Sequence, residues 1–260
     1  MTLENVLKEL SVIQSRLPKL LDEEGRRALS AAIRDLEQQR PTVNKKGNKK
    51  KVKKSPEPRW RLEIPPGNAL RFIPTPATQD LRHSLAVDIA CKIDSPTNGI
   101  STGDHNIAVR VWTDDPALYF RAAYDAPGIR DLVAANGGSR VILRFHFDHA
   151  NADQPGPREH LQIGGAQHGS ELCWLPDNLR VPRFCHHPLS LLMACEFVVR
   201  TFYPDAYRDL QDEATWRGAI ADAQRCYLPP YYLLQGLSNL NDGVYAHSLL
   251  ARLWNSSEAR

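Results

Sequence analysis

Apolar positions recur at three- and four-residue intervals at the start of the chain, where Leu3, Val6, Leu7, Leu10, Ile13 and Leu17 draw one stripe down a helix. Thr2 suits the N-cap of that helix, and Pro18 disrupts it. A second helix is predicted from Asp22 to about Gln39, with acidic residues in its first turn, Leu29, Ala32, Ile33 and Leu36 as its stripe, and Pro41 just past its end. Two short amphipathic helices bury little against each other. Residues 1–40 are therefore expected to pair with a copy of themselves or with another protein, as an oligomerisation or docking module. The alternative is that they fold back on the rest of the chain.

The period then changes from helical to alternating. From Ala86 to Asp94, Val87, Ile89, Cys91 and Ile93 oppose Asp88 and Lys92; from His105 to Trp112, Ile107, Val109 and Val111 oppose Asn106, Ala108, Arg110 and Trp112. A turn-rich loop, Ser95 to Asp104, separates these two strands. Before them, Arg59 to Pro76 is rich in proline with scattered apolar residues and reads as an extended arm laid over the domain. Pro127 at a first turn and Gly137 and Gly138 as terminators bracket a helix that carries Ile129, Leu132 and Val133.

A third strand follows, with Val141, Leu143, Phe145 and Phe147 on one face and Ile142, Arg144, His146 and Asp148 on the other. After a polar loop, Glu159 to Gly164 alternates again, opposing Leu161 and Ile163 to His160, Gln162 and Gly164. Pairing these runs as a hairpin with their apolar faces together brings Arg144, His146, Asp148, His160 and Gln162 out on one side, either as a functional face or as the solvated side of an antiparallel sheet. Six of the nine histidines fall between His146 and His187. From His187 the pattern becomes helical: Pro188 suits a first turn, and the run from Leu189 to Phe202 is apolar nearly all round. Further helices are predicted around Asp205 to Gln224 and Val244 to Trp254, separated by Pro229 and Pro230. The expected fold class is α+β, a mainly antiparallel sheet followed by a helical layer. Its units are a helical hairpin at 1–40, a lysine-rich flexible linker at 41–58 and the α+β domain at 59–260.

Composition adds one feature. The net charge is only +3, yet Lys45, Lys46, Lys49, Lys50, Lys51, Lys53 and Lys54 put seven positive charges into ten residues, so the remainder of the chain is acidic on balance. Such a run repels itself and suits a mobile linker that attracts phosphates or an acidic protein surface, a solubilising tether or an import signal being the other readings. The longest strongly apolar run, near Leu189 to Val199, carries Glu196 and is too short for a bilayer span, and the first residues carry charges where a signal peptide needs an apolar core. Five cysteines without paired spacing suggest free thiols. A cytoplasmic protein without membrane contact is expected.

The chemistry concentrates in the histidine-rich region. Its metal donors would come from His146, Asp148, His149, His160, His168, Cys173, Cys185, His186 and His187, but no C-x-x-C, H-E-x-x-H or H-x-H pair occurs, and no metal or cofactor is expected. A metal-free route can be drawn in which Arg144 holds a phosphate, His146 and His160 serve as base and acid in RNA cleavage by the substrate's own 2′-hydroxyl, and Asp148 orients one imidazole. The same residues also describe a passive phosphate-binding surface. No phosphate loop, nucleophile elbow or dinucleotide fingerprint is present.

The order R-F-H-F-D (Arg144 to Asp148), H-L-Q-I-G (His160 to Gly164), R-V-P-R (Arg180 to Arg183), H-P-L-S (His187 to Ser190) and E-F-V-V-R-T-F-Y-P (Glu196 to Pro204) resembles small uncharacterised bacterial proteins of toxin–antitoxin and phage-defence operons. In these an Arg and an Asp on one strand precede a His-x-His strand, an Arg-x-Pro segment and a helix ending in Phe-Tyr. The resemblance covers about a quarter of the chain through short, degenerate motifs. Gln162 stands here in place of the second histidine, which implies binding without turnover if that pair is catalytic. The resemblance leads to the expectation of a component of a defence or toxin-type complex, and the basic, histidine-rich face together with the lysine tract, on which the resemblance is silent, to that of binding a phosphate-bearing ligand, nucleic acid foremost. Its contacts would be Arg144, Gln162, Arg180, Arg183 and the tract residues Lys49, Lys50 and Lys51. A metal-independent toxin-like ribonuclease and a non-catalytic protein-binding adaptor are the alternatives.

Overall fold

The computed structural model describes residues 2–40, 59–76, 84–95, 104–113, 140–149, 159–164 and 183–242. Two helices open the chain, α1 (Leu3–Arg16) and α2 (Glu23–Gln38). Thr2 Oγ1 accepts from the Asn5 N–H at 3.3 Å, and Asp22 Oδ1 from the Gly25 N–H at 2.7 Å, so each helix starts where an N-cap side chain satisfies a first-turn donor. Among the described residues eight strands follow: β1 (Arg61–Ile64), β2 (Leu70–Arg71), β3 (Thr75–Pro76), β4 (Ser84–Asp94), β5 (His105–Thr113), β6 (Arg140–His149), β7 (Glu159–Ile163) and β8 (Arg183–Cys185). The chain ends its described course in α3 (Leu191–Phe202), α4 (Pro204–Gln211) and α5 (Ala214–Asp242).

Every strand pairing is antiparallel, in the order β1-β4-β5-β6-β7-β8, with β2 and β3 also along β4. The predicted alternation sets the two faces. Ile89, Val109, Phe145 and Ile163 lie in cross-strand register on one side, as do Cys91, Ile107, Phe147, Leu161 and Phe184. Helices cover this side, giving the α+β layering expected from the sequence. Leu192, Val198 and Val199 of α3 and Trp216 of α5 join the strand residues in one hydrophobic cluster. Among the described residues no helix is long and apolar enough to cross a membrane.

The hairpin at 1–40 corrects an expectation. Its stripe residues Leu10, Ile13, Leu17, Leu29 and Leu36 belong to the same cluster as the sheet, and α1 also packs against α3 and α5. Polar contacts fix its place: the Asp22 N–H donates to the Arg71 carbonyl at 3.1 Å, and Gln39 exchanges two hydrogen bonds with the Arg61 backbone at 2.7 and 2.9 Å. At Gly25 an added Cβ would collide with the Arg71 backbone, so only glycine admits this approach of α2 to β2. The stripe expected to dock a partner is thus spent on the protein's own core, because the helices and sheet bury more apolar surface together than apart.

Three smaller departures all involve prolines. The arm at 59–76 forms the three short strands β1 to β3, separated by segments that hold Pro65, Pro66 and Pro74. The third helix is capped by Ser190, whose Oγ accepts from the Met193 N–H at 3.2 Å, so Pro188 precedes it. The helix expected over Asp205 to Gln224 divides between Gln211 and Ala214, and its second part continues through Pro229 and Pro230, where a break was expected. The helices predicted near residues 127–138 and 244–254, and the lysine tract, lie outside the described residues.

Candidate functional site

On the side of the sheet opposite the helices, strand register gathers the polar residues into rows. One row runs Arg71, Asp88, Arg110, Arg144 across β2, β4, β5 and β6. The next runs Ala90, Ala108, His146, Gln162, Arg183, and a third runs Lys92, Asn106, Asp148, His160, Cys185. The expected hairpin is therefore present, with His146 opposite Gln162 and Asp148 opposite His160. Directly paired residues on one face have Cβ atoms about 5 Å apart, so Arg144, His146, Asp148, His160 and Gln162 form one group. Gln162 Nε2 lies 3.2 Å from His160 Nε2.

Their environment differs from the expected solvated concavity. Arg144 is 4% exposed, His146 9% and His160 2%. A general acid and base for RNA need a path for the substrate to both imidazoles, and burial weighs against that use of His146 and His160. Arg183 is a neighbour of Gln162 through strand pairing. Arg180, Lys49, Lys50 and Lys51 lie outside the described residues. His149 leaves the group because strand parity turns it to the helix side, where Nδ1 sits 2.6 Å from Glu159 Oε1. His105 shares that side, its Nε2 2.8 Å from the Leu189 carbonyl, and burial lowers its pKa below the usual imidazole value. His186 stacks edge-on to Phe147, and burial lowers its pKa as well. Among the described residues no group of three or more His, Cys, Asp and Glu side chains could hold a metal ion. His168 and Cys173 lie outside them.

Of the first row only Arg144 stood out in the sequence. Arg110 Nε meets Asp88 Oδ1 at 2.7 Å and its Nη2 meets Oδ2 at 2.9 Å, a bidentate pair with side chains only 4% and 9% exposed. Trp112 Nε1 donates to Asp88 Oδ2 at 2.9 Å, Arg110 also donates to the Pro66 carbonyl at 2.9 Å, and its guanidinium lies 5.1 Å from the Trp112 ring centroid. This array opens into a cleft of about 610 Å³ between α2 and the β2–β5 end of the sheet, within the usual range for ligand sites. Arg27 and Arg71 stand on its α2 side with Glu24, which accepts from Arg71 at 2.9 Å. The available signal was the placement of Asp88 and Arg110 on the polar sides of consecutive strands; the register that joins them could not be read from spacing.

One further buried charge lies away from this face. Glu9 on α1 is 7% exposed among the helices, and burial raises its pKa to about 7 against the opposing hydrogen bonds from Ser190 and the Leu192 N–H. No protein-family model matches the chain, and neither a curated protein nor a solved structure matches it.

Proposed function

We propose that this protein binds a phosphate-bearing ligand, with single-stranded nucleic acid the favoured class, as a cytoplasmic component of a bacterial anti-phage defence or toxin-type complex. The observation that carries the binding reading is the open cleft whose walls hold Arg27, Arg71, Arg110 and Trp112 together, with the Asp88–Arg110 pair fixed at its base by strand register. Guanidinium forks match phosphate geometry, and Trp112 at the same wall offers an aromatic surface to a base. The lysine tract adds electrostatic attraction that needs no fixed geometry. The defence setting rests on the motif resemblance alone.

Fluorescence anisotropy with labelled single-stranded RNA and DNA tests the reading. If about five phosphates are engaged, affinity falls about a hundredfold between roughly 50 and 200 mM salt. Deleting residues 45–54 flattens that slope, and Arg71→Ala weakens binding without changing the fold. Binding indifferent to salt and to both changes would refute the proposal and leave the adaptor reading. RNA cleavage that persists in EDTA and disappears in His160→Ala would replace it with the ribonuclease reading.

A further inference from the structure

A pocket of about 270 Å³ lies between α1 and α5, remote from the polar sheet face. Ala219 and Ala223 of α5 leave the space open, and Glu9 of α1 lines it. At the mouth, Lys8 Nζ is 3.1 Å from Asp222 Oδ2, and Asp222 also pairs with Arg225. The mouth charges are thus engaged with one another. Glu9 is not: the Ser190 hydroxyl and the Leu192 N–H at the start of α3 donate to it.

The groups that face Glu9 from the other elements are the Cys195 thiol of α3 and the Tyr227 hydroxyl of α5, both kept neutral by burial. A carboxylate taken out of water is normally paired with a full opposite charge. Helix-end dipoles and one hydroxyl supply only part of that, which is why the carboxyl holds its proton to near neutral pH. The missing partner is a cation small enough for the pocket and carrying donors for a carboxylate.

We propose that the α1–α5 pocket is a binding site for a small primary ammonium compound whose ammonium group meets Glu9 and whose short alkyl chain lies against Ala219 and Ala223. A metal ion is a poorer match, since the other lining carboxylate, Asp222, is engaged with Lys8 and Arg225 at the mouth, which leaves one buried carboxylate and too few ligands. Binding is linked to proton release, because an ammonium ion favours the ionised carboxyl.

Isothermal titration of the full chain with n-butylammonium at matched ionic strength tests this, with n-butanol and butyrate as the neutral and anionic counterparts. Saturable one-site binding of the ammonium alone is expected, weakening towards tenfold per pH unit below about pH 7, with proton release seen as a dependence on buffer ionisation enthalpy. Glu9→Gln lowers the affinity at least about tenfold at alkaline pH. Ala223→Leu, which fills the pocket and leaves Glu9 in place, abolishes binding. Equal responses to butylammonium and butanol, no ammonium binding up to about 100 mM, or unchanged affinity in either variant overturns the proposal.

Discussion

Glu9→Gln isolates the energetic effect of a single buried carboxyl. Burial raises the pKa of Glu9 from 4.5 to about 7 in the folded protein, so the folded state holds a proton that the unfolded chain has released. Below both values the group is protonated in either state and contributes no pH dependence. As pH rises from 4.5 to 7 the unfolded chain binds fewer protons than the folded one, and stability falls by about 1.4 kcal/mol per pH unit. The full penalty, reached above about pH 7, is on the order of 3 kcal/mol. Glutamine keeps the shape and an acceptor for the Leu192 N–H but does not titrate. The variant is expected to match the parent below pH 4.5, where the carboxyl is protonated in both states, and to exceed it by roughly 3 kcal/mol at pH 8, or several degrees in melting temperature for a chain of this size. Urea unfolding followed by far-UV circular dichroism across this range measures the difference, in which titrations common to both proteins cancel. A difference that does not grow with pH, or a variant less stable than its parent at pH 8, would refute the reasoning.

The Asp88–Arg110 pair gives a second expectation: Asp88→Asn weakens the counter-charge of a buried guanidinium and costs about 3 kcal/mol or more in urea unfolding, whereas Arg27→Ala at the exposed side of the cleft costs little. Gly25→Ala forces α2 away from the Arg71 backbone and is expected to lower stability by about 3 kcal/mol, measured by the same unfolding curve, despite the better helix propensity of alanine. Iodoacetamide at neutral pH, with sites read by mass spectrometry, is expected to spare Cys91 and Cys195. Both thiols are buried, and burial raises the Cys91 pKa to about 12. Cys185, which is exposed, reacts in the native protein.

Much of the polar face was legible before the fold was seen. Alternation in β6 and β7 assigns Arg144, His146, Asp148, His160 and Gln162 to one side, because side-chain direction in a strand depends only on parity. Whether that side meets solvent does not follow from parity, and burial of Arg144, His146 and His160 removed the open histidine surface. Asp88 and Arg110 were assigned to polar sides as well, but their bidentate contact needs Asp88 opposite Arg110, a register fixed by the pairing of β4 and β5 along their whole length. The helix ends at Thr2 and Asp22 were readable because an N-cap is a contact three residues away in sequence. Those at Pro188 and Pro229 misled: the Ser190 cap starts α3 beyond Pro188, and α5 continues through Pro229.

By itself the sequence determined the period of each element, its apolar side and two helix starts, all of which depend on interactions within a few residues. Tertiary structure decided the partners of those apolar sides. It turned the hairpin of α1 and α2 onto the sheet, buried Glu9 where α1, α3 and α5 meet, and aligned Arg71, Asp88, Arg110 and Arg144 across four strands. Burial and register are cooperative properties of the whole core: each depends on residues tens of positions away, and no local pattern encodes them.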